Sequence, residues 1–184
     1  NSNSGFIITS TDDGKTWTKS VVTGIASFYG VAKITNVGFI AVGSQGQVYK
    51  TTDPSLQSWT PISVSGNPNF ESICCSSGGF IWAGTFDGVI YGSSDGGITW
   101  PQRNSITTGQ IRTLYTVSDQ NVWAAGDNGV IVHSIDGGLT WQREDRSDFS
   151  GQWNNIELRE PVQQGEKRMI GLAGQSGEYY YYLF

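Results

Sequence analysis

The chain has one histidine, His133, and one methionine among its 184 residues. A histidine-based zinc centre is therefore excluded by count, and His133 with the two cysteines lacks the ligand spacing of a mixed site. The cysteines, Cys74 and Cys75, are adjacent. Neighbours on a strand point to opposite faces, so they are poorly placed to bridge each other and read as two small strand residues. Positive charge is scarce: 11 Lys and Arg against 16 Asp and Glu give a net charge of −5. That balance argues against a nucleic-acid backbone or an anionic membrane surface as partner. No apolar run approaches the ~18 residues of a membrane-spanning helix, and no secretory leader is visible. The chain starts at Asn1 without a Met, which reads as a processed form or an excised piece. No segment keeps a 3.6-residue apolar period, so no helix is expected.

What is abundant is glycine, 25 residues, and aromatic surface, 12% of the chain with seven tryptophans. Both are organised by one recurring stretch. Residues 134–141 read S-I-D-G-G-L-T-W, with Ser134, Asp136, Gly138 and Trp141 at its key positions. Residues 93–100 repeat it through Ser93, Asp95, Gly97 and Trp100, and residues 10–17 through Ser10, Asp12, Gly14 and Trp17. Residues 51–59 are a fourth copy that keeps Asp53 and Trp59, carries one extra residue and has lost its glycine. The pattern fits a hairpin turn. The Asp carboxylate accepts backbone N–H groups as an Asx turn does, the Gly supplies a positive φ, and the Trp packs back on the turn. Burying such a ring is worth about 2–3 kcal/mol.

A second marker gives the period. Gly5, Gly46, Gly88, Gly129 and Gly177 are separated by 41, 42, 41 and 48 residues. A period near 41 that holds only strand signals points to propeller blades of four strands, A to D. The first full set runs from residues 28–34 (A) through 39–43 (B) and 47–51 (C) to 59–64 (D). Short runs bounded by Gly, Asn, Asp and Ser recur in the same order, as half-buried antiparallel strands should. The expected fold is all-β: a single propeller domain over residues 1–184, built of four-stranded antiparallel blades. Four A–B pairs favour four blades and a surplus C strand leaves five open. The chain begins at strand C and finishes after one, which suggests a last blade shared between the N- and C-termini to hide sheet edges. The last repeat is irregular, with polar stretches at 145–152 and 159–168; such an insertion often maps to a binding face.

The four turns resemble Asp boxes, also called BNR repeats. The larger unit, residues 122–141, resembles the repeat of the Ycf48-like photosystem II assembly factors, and Ile111-Arg112 at the start of an A strand fits that family too. The resemblance covers most of the chain; the departures are residues 51–59 and the last repeat, which has no Asp turn. It implies a non-enzymatic binding scaffold that holds a membrane-complex subunit during assembly, with no cofactor and no metal. It also implies that the box residues are structural, and a setting in the thylakoid lumen, the periplasm or outside the cell. Asp boxes specify fold more than function, so a carbohydrate-binding or glycoside-hydrolase-like propeller of the sialidase type is the rival.

The residues for that rival chemistry are sparse. A sialidase needs an arginine cluster around the axis; only six arginines are present, and Arg103, Arg143 and Arg146 fall in or after D strands. The sialidase Arg-Ile-Pro motif is missing. A two-carboxylate glycosidase could draw on Asp87, Asp127 or Glu71. His133 ends a C strand beside Ser134, away from any triad geometry. In a propeller the B–C turns and D–A loops share one face, and that face is the expected binding surface. Its candidates are Tyr29 with Phe28, Phe86 and Asp87, Arg112, Asp127 with Asn128, and Trp153. Aromatics beside an arginine suit a protein or peptide anchor, and ring stacking would also suit a glycan.

Overall fold

Alternation of apolar and small residues between glycine-rich turns makes strands, with single 3-10 turns at Ser44–Gly46 and Asp127–Gly129 in two of the B–C connections. The computed structural model describes residues 4–23, 27–103, 109–144, 151–159, 169–175 and 179–183. Five antiparallel sheets follow one another along the chain. The first is β1 (Ser4–Thr9) with β2 (Thr18–Thr23). The second holds β3 (Phe28–Ile34), β4 (Gly38–Gly43), β5 (Gln47–Thr51) and β6 (Thr60–Ser63). The third holds β7 (Phe70–Cys75), β8 (Ile81–Thr85), β9 (Ile90–Ser93) and β10 (Gln102–Arg103). The fourth holds β11 (Ile111–Thr116), β12 (Val122–Gly126), β13 (Ile131–Ser134) and β14 (Gln142–Arg143). The fifth holds β15 (Trp153–Arg159), β16 (Met169–Gly174) and β17 (Tyr179–Leu183). Each four-stranded sheet is a meander in chain order, the expected A-to-D blade. Gly177 and most of the polar stretches 145–152 and 159–168 lie outside the described residues.

The core lies between sheets. Along each strand alternate residues point to opposite faces, so every sheet has a front face toward the next sheet and a back face toward the one before. Ile34, Ile40, Val42 and Val48 on the front of the second sheet meet Phe70, Ile81, Ala83, Tyr91 and Trp100 on the back of the third. Trp82 and Ile90 on the front of the third meet Val122, Val130, Val132 and Trp141 on the back of the fourth. Trp123, Ala125 and Ile131 meet Trp153, Ile156, Ile170 and Leu172 in the same way. The innermost strands stack in the order β3, β7, β11, β15. Cys74 packs on the front-face cluster and Cys75 on the back-face one, both as free thiols. Burial pushes both thiols up, Cys75 to about 12.

The Asp boxes are turns held by one carboxylate. Asp136 accepts the Thr140 N–H at 2.8 Å on one oxygen and the Thr140 hydroxyl at 2.6 Å on the other, while Ser134 Oγ takes the Gly138 N–H at 2.8 Å. Asp95 and Asp12 are held identically by Thr99 and Thr16. The variant copy shows what the glycine was for. Leu56 sits at φ 57°, and its carbonyl accepts the Trp59 indole N–H as Gly97 accepts that of Trp100. The left-handed residue is thus retained without glycine, at a steric cost that a Cβ imposes.

Three of the four boxes are also clamped by the sheet before them. Ser20 Oγ donates to the Leu56 carbonyl at 3.2 Å, Lys50 Nζ to the Gly96 carbonyl at 2.8 Å, and the buried Trp82 indole to the Gly137 carbonyl at 3.4 Å. The closing ring is buried only where a preceding sheet covers it: Trp100 and Trp141 are 9% and 7% exposed, whereas Trp17 is 62% exposed.

One expectation, a return strand that starts at the Trp, needs correcting. The Trp does not begin the return strand; β2, β6, β10 and β14 start one or two residues after it. The sharing of one blade between the two ends is not among the described ladders: β1 pairs with β2, and β17 with β16.

Trp100→Ala and Trp141→Ala should each cost about 3–5 kcal/mol through loss of a buried ring, and Trp17→Ala well under ~1 kcal/mol. Denaturant midpoints of the three variants check this ordering. The boxes also set an acid limit. Hydrogen bonds from Thr140, then Ser134, hold Asp136 down at about 2, and Thr16 does the same for Asp12. The unfolded value is about 4, so this stabilisation is complete above about pH 4 and disappears as pH falls through about 2. Asp136→Asn should flatten the fall of Tm between pH 4 and pH 2 relative to the parent chain.

Candidate functional site

The face formed by B–C turns and D–A loops is built by a device repeated in four sheets. Each innermost strand begins with an anchor, fully buried at Phe70, Ile111 and Trp153 and half-buried at Phe28, and then bulges by one residue. The register slips between Phe28 and Gly30, between Phe70 and Ser72, between Ile111 and Thr113, and between Trp153 and Asn155. The extra residues are Tyr29, Glu71, Arg112 and Asn154. A bulge re-aims the side chain it inserts and tightens the local twist. The four therefore form one row across the ends of four stacked strands.

The row is fixed from behind. Ser72 Oγ donates to the Ile111 carbonyl at 3.0 Å, and the Ile156 N–H donates to Thr113 Oγ1 at 3.2 Å, so residues just after the bulges stitch neighbouring inner strands together. The B–C turns are tied to the D–A loop of the following sheet, Gly46 N–H to the Pro68 carbonyl and Gly129 N–H to the Gly151 carbonyl, each at 2.7 Å. Gln45 and Asn128 hold these turns at φ 59° and 57°.

Two clusters result. Tyr29, from the second sheet, meets Phe86, in the B–C turn of the third, edge to face with centroids 5.3 Å apart. Both rings remain more than two-fifths exposed. Such an aromatic pair across two sheets is an exposed hydrophobic patch with a defined shape. Beside it in the row stands Glu71, then Arg112. The Arg112 Nε donates to Asp127 at 2.5 Å, and both side chains are about three-quarters covered. Burial pushes the Glu71 carboxyl up; the Arg112 charge and a hydrogen bond from Gln110 pull it back, and the Asp127 charge pushes it further up. Its Oε2 is buried with no hydrogen-bond partner. One guanidinium thus serves two carboxylates.

Of the candidates read from the sequence, Tyr29 and Phe86 come together, and Arg112 and Asp127 come together. Asp87 is turned onto its own turn, where it accepts the Thr85 hydroxyl at 2.5 Å. Trp153 is fully buried in the packing between the fourth and fifth sheets and does not join the exposed face. It is an anchor residue, equivalent to Phe70 and Ile111, so the strand start that brought it into view is what buries it. Glu71 entered the sequence reading only as one acid for a glycosidase pair, and Gln110 not at all. The signal was available: Tyr29, Glu71, Arg112 and Asn154 each follow a strand anchor at the repeat spacing. His133 stacks on Trp123 with centroids 4.4 Å apart and faces Glu144 at 3.0 Å, in the body of a strand. No group of three or more His, Cys, Asp or Glu that could hold a metal ion occurs among the described residues.

The family described as photosynthesis system II assembly factor YCF48 matches residues 1–175. Among solved structures, the chain is similar to one described as YCF48 bound to D1 peptide, with TM-score 0.74 and 23% identity over 99% of this chain and 58% of that one. It is also similar to YCF48 from Cyanidioschyzon merolae, with TM-score 0.72 and 21% identity over 98% of this chain and 64% of that one. This chain therefore spans about three-fifths of the length of those two proteins. A glycoside hydrolase from Niastella koreensis, described as a GH74 enzyme, is similar in fold at TM-score 0.60 and 16% identity, over 85% of this chain and 30% of that one. No curated protein matches the sequence.

Glu71→Gln should raise the Tm at pH 7, because it removes a carboxylate whose charge is disfavoured by burial. A carboxyl raised in the folded state costs no stability below its unfolded pKa of about 4 and costs most once pH exceeds the folded pKa. The gain should therefore shrink toward zero as pH falls below 4, and paired melts at pH 7 and pH 3.5 measure it.

Proposed function

The chain belongs to the family of photosynthesis system II assembly factor YCF48, and on that premise we propose that it is a non-enzymatic scaffold that docks a peptide segment of a photosystem II subunit. The observation that carries the reading is the Tyr29–Phe86 pair, exposed at the mouth of the inner strands beside the Arg112–Asp127 ion pair. An apolar side chain of the peptide packs on the two rings, and the remaining Arg112 N–H groups and the turn carbonyls take its polar backbone. Fixed turns keep this surface preorganised, so docking costs little ordering of the scaffold. The similar protein solved with a D1 peptide makes a D1 segment the first occupant to test.

The non-enzymatic reading rests on the site's own groups. Asp127 is neutralised by Arg112, Asp87 caps its turn, and one oxygen of the Glu71 carboxyl is buried. None is a solvent-facing acid paired with a second carboxylate across an open cleft, as glycoside hydrolysis needs. Carbohydrate binding through the same rings is the other outcome of the experiment.

In fluorescence anisotropy, a labelled D1 peptide should bind the chain, and Tyr29→Ala with Phe86→Ala should weaken it at least tenfold, which is about 1.4 kcal/mol. Asn154→Ala should change it little. A glycan array and assays on sialosides and xyloglucan, run on the same preparation, should be blank. Peptide binding that ignores both aromatic substitutions, or turnover lost in Asp87→Asn, would refute the proposal.

A further inference from the structure

The face that carries the bulged row has an unbalanced charge. Its described B–C turns, D–A loop residues and bulges hold three carboxylates, Glu71, Asp87 and Asp127, against one cation, Arg112. The Arg112 Nε is engaged by Asp127. Asp87 accepts the Thr85 hydroxyl, a neutral donor that leaves its charge in place. Glu71 is the carboxylate that the fold serves least. It has a hydrogen bond from Gln110 and a share of the Arg112 charge, opposed by the charge of Asp127. Its Oε2 is the one buried carboxylate oxygen without a hydrogen-bond partner among the described residues. The boxes show the contrast: Asp12, Asp95 and Asp136 each accept a backbone N–H and a hydroxyl from one threonine.

Position decides what Glu71 can meet. The innermost strands stack in the order β3, β7, β11, β15, so the bulge of β7 lies between those of β3 and β11. Glu71 therefore stands between the Tyr29–Phe86 rings and the Arg112–Asp127 pair. It is partly exposed, and a cation that arrives beside a partly covered carboxylate feels it more strongly than in open water. Stacked sheets lie about 10 Å apart, and an extended peptide advances about 3.3 Å per residue. A ligand seated on the rings thus brings a side chain to Glu71 within about three residues of its apolar anchor.

We propose that Glu71 selects the charge of the docked peptide: it takes the ammonium or guanidinium of a basic side chain within about three residues of the apolar side chain held by Tyr29 and Phe86. The proposal rests on the docking reading above and adds to it the charge of the segment that fits. Arg112 still offers N–H groups to the peptide backbone, but its charge is shared between two carboxylates. An acidic segment in the same place meets uncompensated carboxylates, so selection works by repulsion as well as attraction.

Amide shifts of the isotope-labelled chain, titrated with three peptides to millimolar concentration, test this. The peptides are Gly-Lys-Ser-Leu-Ser-Lys-Gly and its counterparts with Gln or Glu in place of Lys, symmetrical so that either chain direction presents the charge. The Lys peptide should bind at least tenfold more tightly than the Glu peptide, with the Gln peptide between them. Glu71→Gln should cut that ratio at least threefold while keeping the parent circular dichroism, and Asp87→Asn should cut it less. Tyr29→Ala with Phe86→Ala should weaken all three peptides and leave the ratio standing, which separates the rings from the charge. A ratio that survives Glu71→Gln, one governed by Asp87 instead, a Glu peptide that binds as tightly as the Lys peptide, or no shift in any titration overturns the proposal. Binding of the D1 peptide in the anisotropy experiment then still decides the docking reading by itself.

Discussion

Burial of one sheet's front face on the next sheet's back face is the interaction on which the structure depends. A four-stranded blade has two apolar faces and no helix to cover either. Its side chains leave water only by stacking, and the buried tryptophans show where that matters most. Trp82 and Trp123 project forward while Trp100 and Trp141 project backward. At about 25 cal/mol per Å2 of apolar surface, rings of this size outweigh any single hydrogen bond in the same layer. Repeats of this kind owe their stability to their neighbours rather than to themselves.

The Asp box serves that stacking. Its carboxylate closes the turn internally, which leaves the box carbonyls free to accept donors from the preceding sheet. Ser20, Lys50 and Trp82 fill this role from three different side chains. The latch requires a carbonyl in a fixed place, not a particular donor, which explains why the box sequence repeats while its partners vary. On the opposite face the bulges do the complementary work. They hold Tyr29, Glu71, Arg112 and Asn154 in one row, where variation alters the surface without touching the packing beneath. The box latches and the bulged row thus occupy opposite ends of the same strands.

Much of this was legible in the chain itself. The spacing of Gly5, Gly46, Gly88 and Gly129 marked the blades, and strand order followed from the turns between them. The separate fates of Cys74 and Cys75 followed from strand alternation alone. Trp153 was misread because an aromatic at a strand start looks the same whether it anchors or projects. Only the register slip between Trp153 and Asn155 tells the two apart. Asp87 was equally ambiguous until Thr85 was seen to donate to it.

The sequence by itself determined the blade: its period, its four strands, its Asp-box turns and the family to which the repeat belongs. These are local properties, set by turn chemistry and alternation over fewer than ~45 residues. Tertiary structure decided everything that depends on which sheet lies against which. It left Trp17 open while covering Trp100 and Trp141, kept β1–β2 and β15–β17 as separate sheets, and brought Tyr29 to Phe86 and Arg112 to Asp127. The physical reason is that residues in identical repeats have identical local instructions. Only their neighbours across the sheet-to-sheet gap distinguish core from surface.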